Sequence, residues 1–90
     1  MVCINYNCYS LRRITKTSFE NIIVKENTIL REVLNILIYK YGELFKIHLF
    51  DSDTGRLKLI VLVNGSSVDD LSLSMEDSDK INIVSPITGG

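Results

Sequence analysis

The sequence predicts a single small α+β domain in which one main helix packs on a mixed sheet of four or five strands. The chain has 90 residues, of which 46% are hydrophobic and 23% charged, enough for one core and too few for a second. One stretch has apolar residues at helical spacing, and it lies between segments with the period-two or β-branched patterns of strands. This order of elements indicates the fold class.

Two strand-like segments at the N-terminus predict a hairpin. Residues 2–9 alternate between apolar and more polar side chains, and residues 19–24 form a second apolar run, as expected for half-buried strands. The residues of the first strand expected to face the core are Val2, Ile4, Tyr6 and Cys8. A polar connection between the strands carries Arg12, Arg13 and Lys16.

A helix is predicted over residues 28–41. Asn27 or Thr28 offers a side-chain oxygen to cap its start, and Gly42 can end it in a left-handed conformation. The apolar stripe at three-to-four spacing comprises Leu30, Val33, Leu34, Leu37 and Tyr41. Ile36 and Ile38 widen this stripe, so we expect deep packing with little exposed helix surface.

The second half of the chain predicts a short apolar stretch over residues 47–50, a polar turn over 51–55 and a strand over 57–63. Because that strand is apolar on both parities, it is expected to be central and covered on both faces. Asn64-Gly65 predicts a tight turn. A short edge strand near Val68, a polar turn over 75–79 and a final strand over 80–84 complete the order.

Pairing of the last strand with the first makes the sheet mixed, and the resulting architecture is the β-grasp of ubiquitin. We expect residues 1–84 to form this domain and residues 85–90 to form a flexible C-terminal tail. Pro86 lacks an amide hydrogen and keeps Ser85 extended, which ends sheet pairing. The six tail residues could then reach outward by about 20 Å.

The tail ends in Gly89-Gly90, which suits chemistry at the terminal carboxylate. Activation of a carboxylate by ATP gives an acyl-adenylate, and an enzyme that does this to a chain end must enclose it in a narrow channel. Glycines leave that channel free of side chains. The activated carbonyl can then pass to a sulfur nucleophile or to a lysine amine. Alternatively, Gly-Gly is a frayed end without a role, since termini are commonly disordered.

Several segments resemble the MoaD-type ubiquitin-like sulfur carriers, which include the small subunit of molybdopterin synthase. Residues 85–90, Ser-Pro-Ile-Thr-Gly-Gly, are similar to the closing Pro-Pro-Val-x-Gly-Gly of that family. Residues 62–65, Leu-Val-Asn-Gly, are similar to its strand-ending Val-Asn-Gly, and residues 10–12 to its Leu-Arg after the first strand. The sequence departs from the family at Ser85, at the 77–79 turn, and in a longer stretch over 42–56.

The resemblance implies that Gly90 is adenylated by a ubiquitin-activating-type adenylyltransferase and becomes a thiocarboxylate. It further implies a sulfurtransferase or cysteine desulfurase as sulfur source, and a molybdopterin synthase large subunit or another sulfur-accepting enzyme as recipient. The residues implied to contact these partners are Val84, Pro86, Ile87, Thr88 and Gly89. The chain would have no catalytic site of its own and bind no cofactor, and ATP would be consumed by the activating enzyme.

Net charge, the length of the apolar runs and the cysteine spacing disfavour several classes of function. The chain carries 10 Lys and Arg against 11 Asp and Glu, a net charge of −1, which does not favour nucleic acid as a partner. No apolar run approaches the length of a membrane span, so we expect a cytoplasmic protein without membrane association. Cys3 and Cys8 are expected to lie about 16 Å apart in one strand and to stay unpaired, and no metal site is expected.

Two further features of the sequence are a single histidine and a group of acidic residues. His48, the only histidine, is expected to be a sheet residue. Five acidic residues precede the last strand, and they are either a solvated face or a surface that steers docking onto a basic partner; they are Asp69, Asp70, Glu76, Asp77 and Asp79.

Three functions remain open at this point. The sulfur carrier is the leading hypothesis, in molybdopterin synthesis or alternatively in thiamine synthesis or tRNA thiolation. A ubiquitin-like modifier that forms isopeptide bonds to lysines would use the same carboxylate. An interaction module with an inert tail would not use it.

Overall fold

The structure of the protein, a computed structural model, describes residues 1–86. Five strands and three helices follow one another along this part of the chain. Their bounds are β1 Val2–Asn7, α1 Tyr9–Thr15, β2 Phe19–Ile22, α2 Leu30–Tyr41, α3 Glu43–Leu49, β3 Ile60–Val63, β4 Ser66–Ser67 and β5 Lys80–Val84. None of the described helices has both the length and the apolar character needed to cross a membrane.

The strands form one mixed sheet in the order β2-β1-β5-β3-β4. β5 pairs in parallel with β1 and antiparallel with β3, while β1 with β2 and β3 with β4 are antiparallel pairs. This confirms the predicted N-terminal hairpin and the mixed β-grasp sheet. The last strand of the described chain is therefore the middle strand of the sheet.

The core lies between one face of the sheet and the three helices. Alternate residues of β1, β3 and β5 are buried, as the period of two requires. The fully buried side chains include Ile4, Tyr6, Leu11, Leu30, Leu34, Leu37, Phe45, Leu49, Ile81 and Ile83. Burial of each large aliphatic or aromatic group stabilises the fold by about 1.5–3 kcal/mol, so the core holds the sheet and the helices together. The core includes the four predicted residues of the first segment, Val2, Ile4, Tyr6 and Cys8.

Two helices were not predicted. Residues 9–15 form α1 where a strand end and a polar connection were expected, because Leu11 and Thr15, four residues apart, are both buried. Residues 43–49 form α3, where Phe45 and Leu49 are buried at the same spacing. The expectation that His48 belongs to a sheet is therefore wrong, and this histidine lies in the last turn of α3.

The main helix begins later than predicted. Its N-cap is Ile29, whose backbone N–H donates to Oε1 of Glu32 at 3.0 Å. Thr28 instead donates its hydroxyl to the Lys25 carbonyl at 2.6 Å, so neither predicted cap is used. At the other end Gly42 does take a positive φ of 91°, but its ψ of −165° is not left-handed helical; this geometry allows α3 to begin at once.

The helix and β3 are more exposed than predicted. Ile36 is 40% exposed and Tyr39 is 93% exposed, so the helix presents a broad outer surface. β3 lies next to the edge strand β4 and is buried on one face only, since Ile60 remains 37% exposed. The expectation of a central strand covered on both faces is wrong for β3. β5 occupies the central place, but its second face is also open.

The turns match their predicted chemistry. Asn64 and Gly65 both have positive φ, 51° and 89°, and connect β3 to the short edge strand β4. In the 51–55 turn, Oδ1 of Asp51 accepts the backbone N–H groups of Asp53 and Thr54 at 2.8 and 3.1 Å. These hydrogen bonds explain the polar composition of both connections.

A carboxylate joins the sheet to the main helix. Glu20 on β2 accepts hydrogen bonds from the Tyr6 hydroxyl and the Lys40 ammonium, both at 2.6 Å, and from the Tyr41 hydroxyl. Burial alone raises the pKa of this carboxyl, but the three donors outweigh burial and hold the pKa below its ordinary value of 4.5. Glu20 therefore ties the edge strand β2 to the C-terminal turn of α2.

We expect Glu20→Gln to lower the free energy of unfolding at pH 7 by about 1–3 kcal/mol, because it removes the charge from three hydrogen bonds. A lowered carboxyl pKa contributes stability above the unfolded-state pKa and loses it as pH falls through the folded value. Urea unfolding from pH 7 down to pH 3 should therefore show a shallower acid loss in the variant.

The matched control is Glu26→Gln, at an exposed position. Equal unfolding free energies for the two variants at pH 7 would contradict this role of Glu20.

Candidate functional site

The candidate site is the end of β5, from which the tail begins. Val84 is the last strand residue, and it lies between Asn7 of β1 and Ile60 of β3. Val84 is half-buried, while Ser85 and Pro86 are exposed. Because β5 is the middle strand, the tail begins at the centre of one end of the sheet.

The remaining predicted site residues lie outside the described part of the chain. They are Ile87, Thr88, Gly89 and Gly90. The predictions made for these four residues, and the prediction of a flexible tail, stay predictions.

The face of the sheet opposite the helices is open beside this end. Side chains of outward parity on β1, β3 and β5 are half-buried or exposed. Three of them are apolar: Ile60 and Val84 are register partners, and Leu62 is the next outward residue along β3. We call these three residues the outer patch. Exposed apolar groups that cluster in this way are typical of protein interaction sites.

Polar contacts hold the strand ends together at the tail. Arg12 of α1 donates Nε–H to the Tyr6 carbonyl at 2.6 Å and Nη2–H to Oδ1 of Asn7 at 3.2 Å. Asn7 in turn donates its side-chain amide to Oδ1 of Asn82 on β5. These bonds link α1, β1 and β5 within one or two residues of Val84, so the start of the tail has a defined position.

Within residues 1–86 no group of three or more His, Cys, Asp or Glu side chains is arranged to hold a metal ion. Nδ1 of His48 lies 2.7 Å from the Leu44 carbonyl of its own helix, so its polar contact is within α3. Cys3 and Cys8 are both free, as predicted, but they do not share a strand, because β1 ends at Asn7 and Cys8 is the N-cap residue of α1. The arrangement places the start of the tail, Ser85 and Pro86, where another protein can reach it.

Sequence reasoning missed two components of this site. The sequence predicts burial of Ile60 and Leu62, because residues 60–63 are apolar at every position. Arg12 was placed in a polar connection, and only the helix brings its side chain back to the end of β1. The sequence carries no signal for the first component, because the strand is apolar on both parities.

Residues 9–90 match the ThiS family. No curated protein sequence matches the chain. Among solved structures, the chain is similar to a Pyrococcus furiosus protein assigned as subunit 1 of a molybdopterin converting factor, with a TM-score of 0.78 and 22% identity over 96% of this chain and 97% of that one.

Two further structures extend the comparison. Small archaeal modifier protein 1 of Haloferax volcanii has a TM-score of 0.76 and 17% identity over 97% of this chain and 100% of that one. A chain in the complex of subunits 1 and 2 of molybdopterin-converting factor from Helicobacter pylori has a TM-score of 0.61 and 22% identity over 99% and 97%.

These likenesses establish the fold. The family match extends over almost the whole chain, and the mixed sheet with its central last strand is the architecture expected for such a match. The chain belongs to the ThiS family and has the fold of the ubiquitin-like sulfur carriers.

Proposed function

We propose that this protein is a sulfur carrier whose C-terminal Gly90 is adenylated and then converted to a thiocarboxylate. The observation that carries the proposal is the position of the tail: β5 ends at Val84 in the middle of the sheet, Pro86 is exposed, and the sequence closes in Gly89-Gly90. A compact domain whose last two residues have no side chains is suited to be the substrate of enzymes that modify its terminal carboxylate.

The chemistry takes place at the terminal carboxylate. A carboxylate oxygen attacks the α-phosphorus of ATP, pyrophosphate leaves, and an acyl-adenylate forms. A sulfurtransferase or cysteine desulfurase supplies the sulfur as an enzyme-bound persulfide, whose outer sulfur attacks the carbonyl carbon while AMP leaves. A second thiol then attacks the enzyme sulfur of the resulting acyl disulfide, which releases the thiocarboxylate and leaves a disulfide between the two thiols. In this scheme Ile87, Thr88 and Gly89 occupy the channel of the activating enzyme, whose own groups supply the catalysis.

The outer patch supplies the surface on which partners dock. Ile60 and Val84 are register partners at the end of β5, so a protein that takes up the tail also reaches this patch. Burial of the patch in a complex contributes binding energy without any change in the tail itself. The adenylyltransferase and the sulfur acceptor would use it in turn.

Among sulfur acceptors we favour a molybdopterin synthase large subunit. Two similar structures bear the name of a molybdopterin converting factor, and one of them is a complex of its two subunits. The sequence resemblance supports the same choice. Thiamine synthesis and tRNA thiolation use the same tail chemistry and are the alternatives among carriers, and in each case the proposed place of action is the cytoplasm.

A protein modifier is the second candidate, because the similar Haloferax volcanii protein is named a modifier. A modifier transfers the same activated carbonyl to a lysine amine and forms an isopeptide bond. The two functions differ in their products, so they can be separated by mass spectrometry.

Protein isolated from its native host should contain a fraction heavier by the mass difference between sulfur and oxygen, with the change located at Gly90. Deletion of Gly90 should abolish both this fraction and ATP–pyrophosphate exchange with the activating enzyme, because the adenylate forms at that carboxylate. Glu26→Gln, at an exposed position outside the tail, is the control and should keep both. Exchange that persists after the deletion would contradict the proposal, and lysine conjugates bearing Gly-Gly would favour the modifier.

We expect Ile60→Ser to raise the KM of the activating enzyme for this protein by about tenfold, since it removes an apolar contact from the outer patch. The control is Leu73→Ser, because Leu73 and Ile60 are both 37% exposed and Leu73 lies outside the patch. Pyrophosphate exchange at varied carrier concentration measures the effect, and circular dichroism checks the fold. Equal KM values for the two variants would remove the docking role.

A further inference from the structure

Three cations lie at the end of the sheet where the tail begins. They belong to α1 and the residue after it, and we call Arg12, Arg13 and Lys16 the basic corner. All three are exposed. No Asp or Glu occurs between Cys8 and Phe19, so this stretch of chain carries positive charge alone.

The contacts of Arg12 place this member of the basic corner beside the start of the tail. Arg12 bonds to Tyr6 and Asn7 at 2.6 and 3.2 Å, and Asn7 is the register partner of Val84. Arg13 lies over the ring of the exposed Tyr9, 5.9 Å from its centroid. α1 starts directly after β1, and β1 pairs in parallel with β5, so the helix stays near the C-terminal end of β5.

Three of the acidic residues that precede β5, Glu76, Asp77 and Asp79, lie at its opposite end, in the turn that leads into the strand. Asp79 accepts hydrogen bonds from the Asn64 side chain at 2.8 Å and from the Glu76 backbone at 2.7 Å. Asp77 contacts the N-terminal ammonium group. A strand of five residues is about 16 Å long, so these carboxylates are separated from Ser85 by about the length of β5.

The connection that follows β1 therefore carries three cations beside the end of β5, and the turn that precedes β5 carries three carboxylates at the other end. The turn contacts of Asp77 and Asp79 give these two residues a structural role. The charged side chain that contacts the end of β1 beside Val84 is Arg12, so the docking surface that these contacts support is positive, whereas the alternative drawn from the sequence has the acidic residues meet a basic partner.

We propose that the basic corner docks on an acidic protein surface at the mouth of the channel that receives the tail. The inference rests on the proposed function and adds to it the charge of the partner. A nucleic acid is not favoured as the occupant, because three cations on a chain of net charge −1 give a weak phosphate-binding surface. Exposed charges of this kind act mainly on the rate of association, and salt screens them.

The test uses the full chain and the host protein that catalyses ATP–pyrophosphate exchange in its presence. Arg13→Glu reverses a charge whose described contact is the Tyr9 ring, so the core stays intact. The matched control is Lys25→Glu, the same change of charge at an exposed residue in the cleft shared with Met1 and Asp77, at the acidic end. Arg12 is left unchanged because its hydrogen bonds hold β1.

We expect Arg13→Glu to lower kcat/KM for adenylation about tenfold at low ionic strength, with kcat at saturating carrier unchanged, and the difference to vanish near about 0.5 M NaCl. Lys25→Glu should change kcat/KM less than twofold at either ionic strength, as a rough bound on a remote charge. Equal effects of the two variants, or an Arg13→Glu effect that salt does not reduce, would overturn the proposal.

A second measurement does not depend on the enzyme. Addition of hexaglutamate peptide to the ¹⁵N-labelled protein at low salt should shift the Arg12, Arg13 and Lys16 signals, while hexalysine should not. If no host protein shows exchange that depends on this chain, the proposed function fails. In that case the peptide titration alone tests whether the basic corner binds acidic groups. Absence of those shifts would overturn this role of the corner as well.

Discussion

The pairing of β5 between β1 and β3 is the constraint on which the rest of the molecule depends. Ile81 and Ile83 of this strand are fully buried and complete the core from the middle of the sheet. The same pairing fixes the position of Val84 between two neighbours. Core formation and presentation of the chain end are therefore one structural event, because both require β5 in register.

The helices determine which face of the sheet remains open. α1, α2 and α3 bury the inward parity of the strands, and the outward parity keeps apolar side chains such as Ile60 partly exposed. Glu20 secures the edge of this layer through its contacts with Tyr6, Lys40 and Tyr41. The outer face can serve a partner because the inner face already provides the stability.

Long and strongly patterned elements could be predicted from the sequence. The stripe of α2 and the bounds of β5 are examples, and so is the Asn64-Gly65 turn, where both residues need positive φ. α1 and α3 have seven residues each, which is too short for a helical period to be distinguished from a strand or a loop. Their formation depends on tertiary burial of two side chains in each helix.

The candidate site, like the fold, could be predicted from the sequence only in part. The end of β5 at Val84 could be predicted because the strand pattern and the following Ser85-Pro86 are contained in consecutive residues. The contacts of Arg12 with the end of β1, and the pairing of Ile60 with Val84, depend on register between segments far apart in the chain. Sequence patterns carry no direct information about such register, so the surroundings of the tail became visible only in the folded structure.

The parallel pairing of Cys3 with Lys80 joins residues near the two ends of the described chain. Contacts of such long sequence separation form late and slow the folding of small domains. During synthesis the central strand emerges after all its neighbours, so a ribosome-bound intermediate has neither a complete sheet nor the adjacent Ile60 and Val84. A partner that recognises Ile60 and Val84 together would therefore distinguish a folded chain from one that is still unfolded.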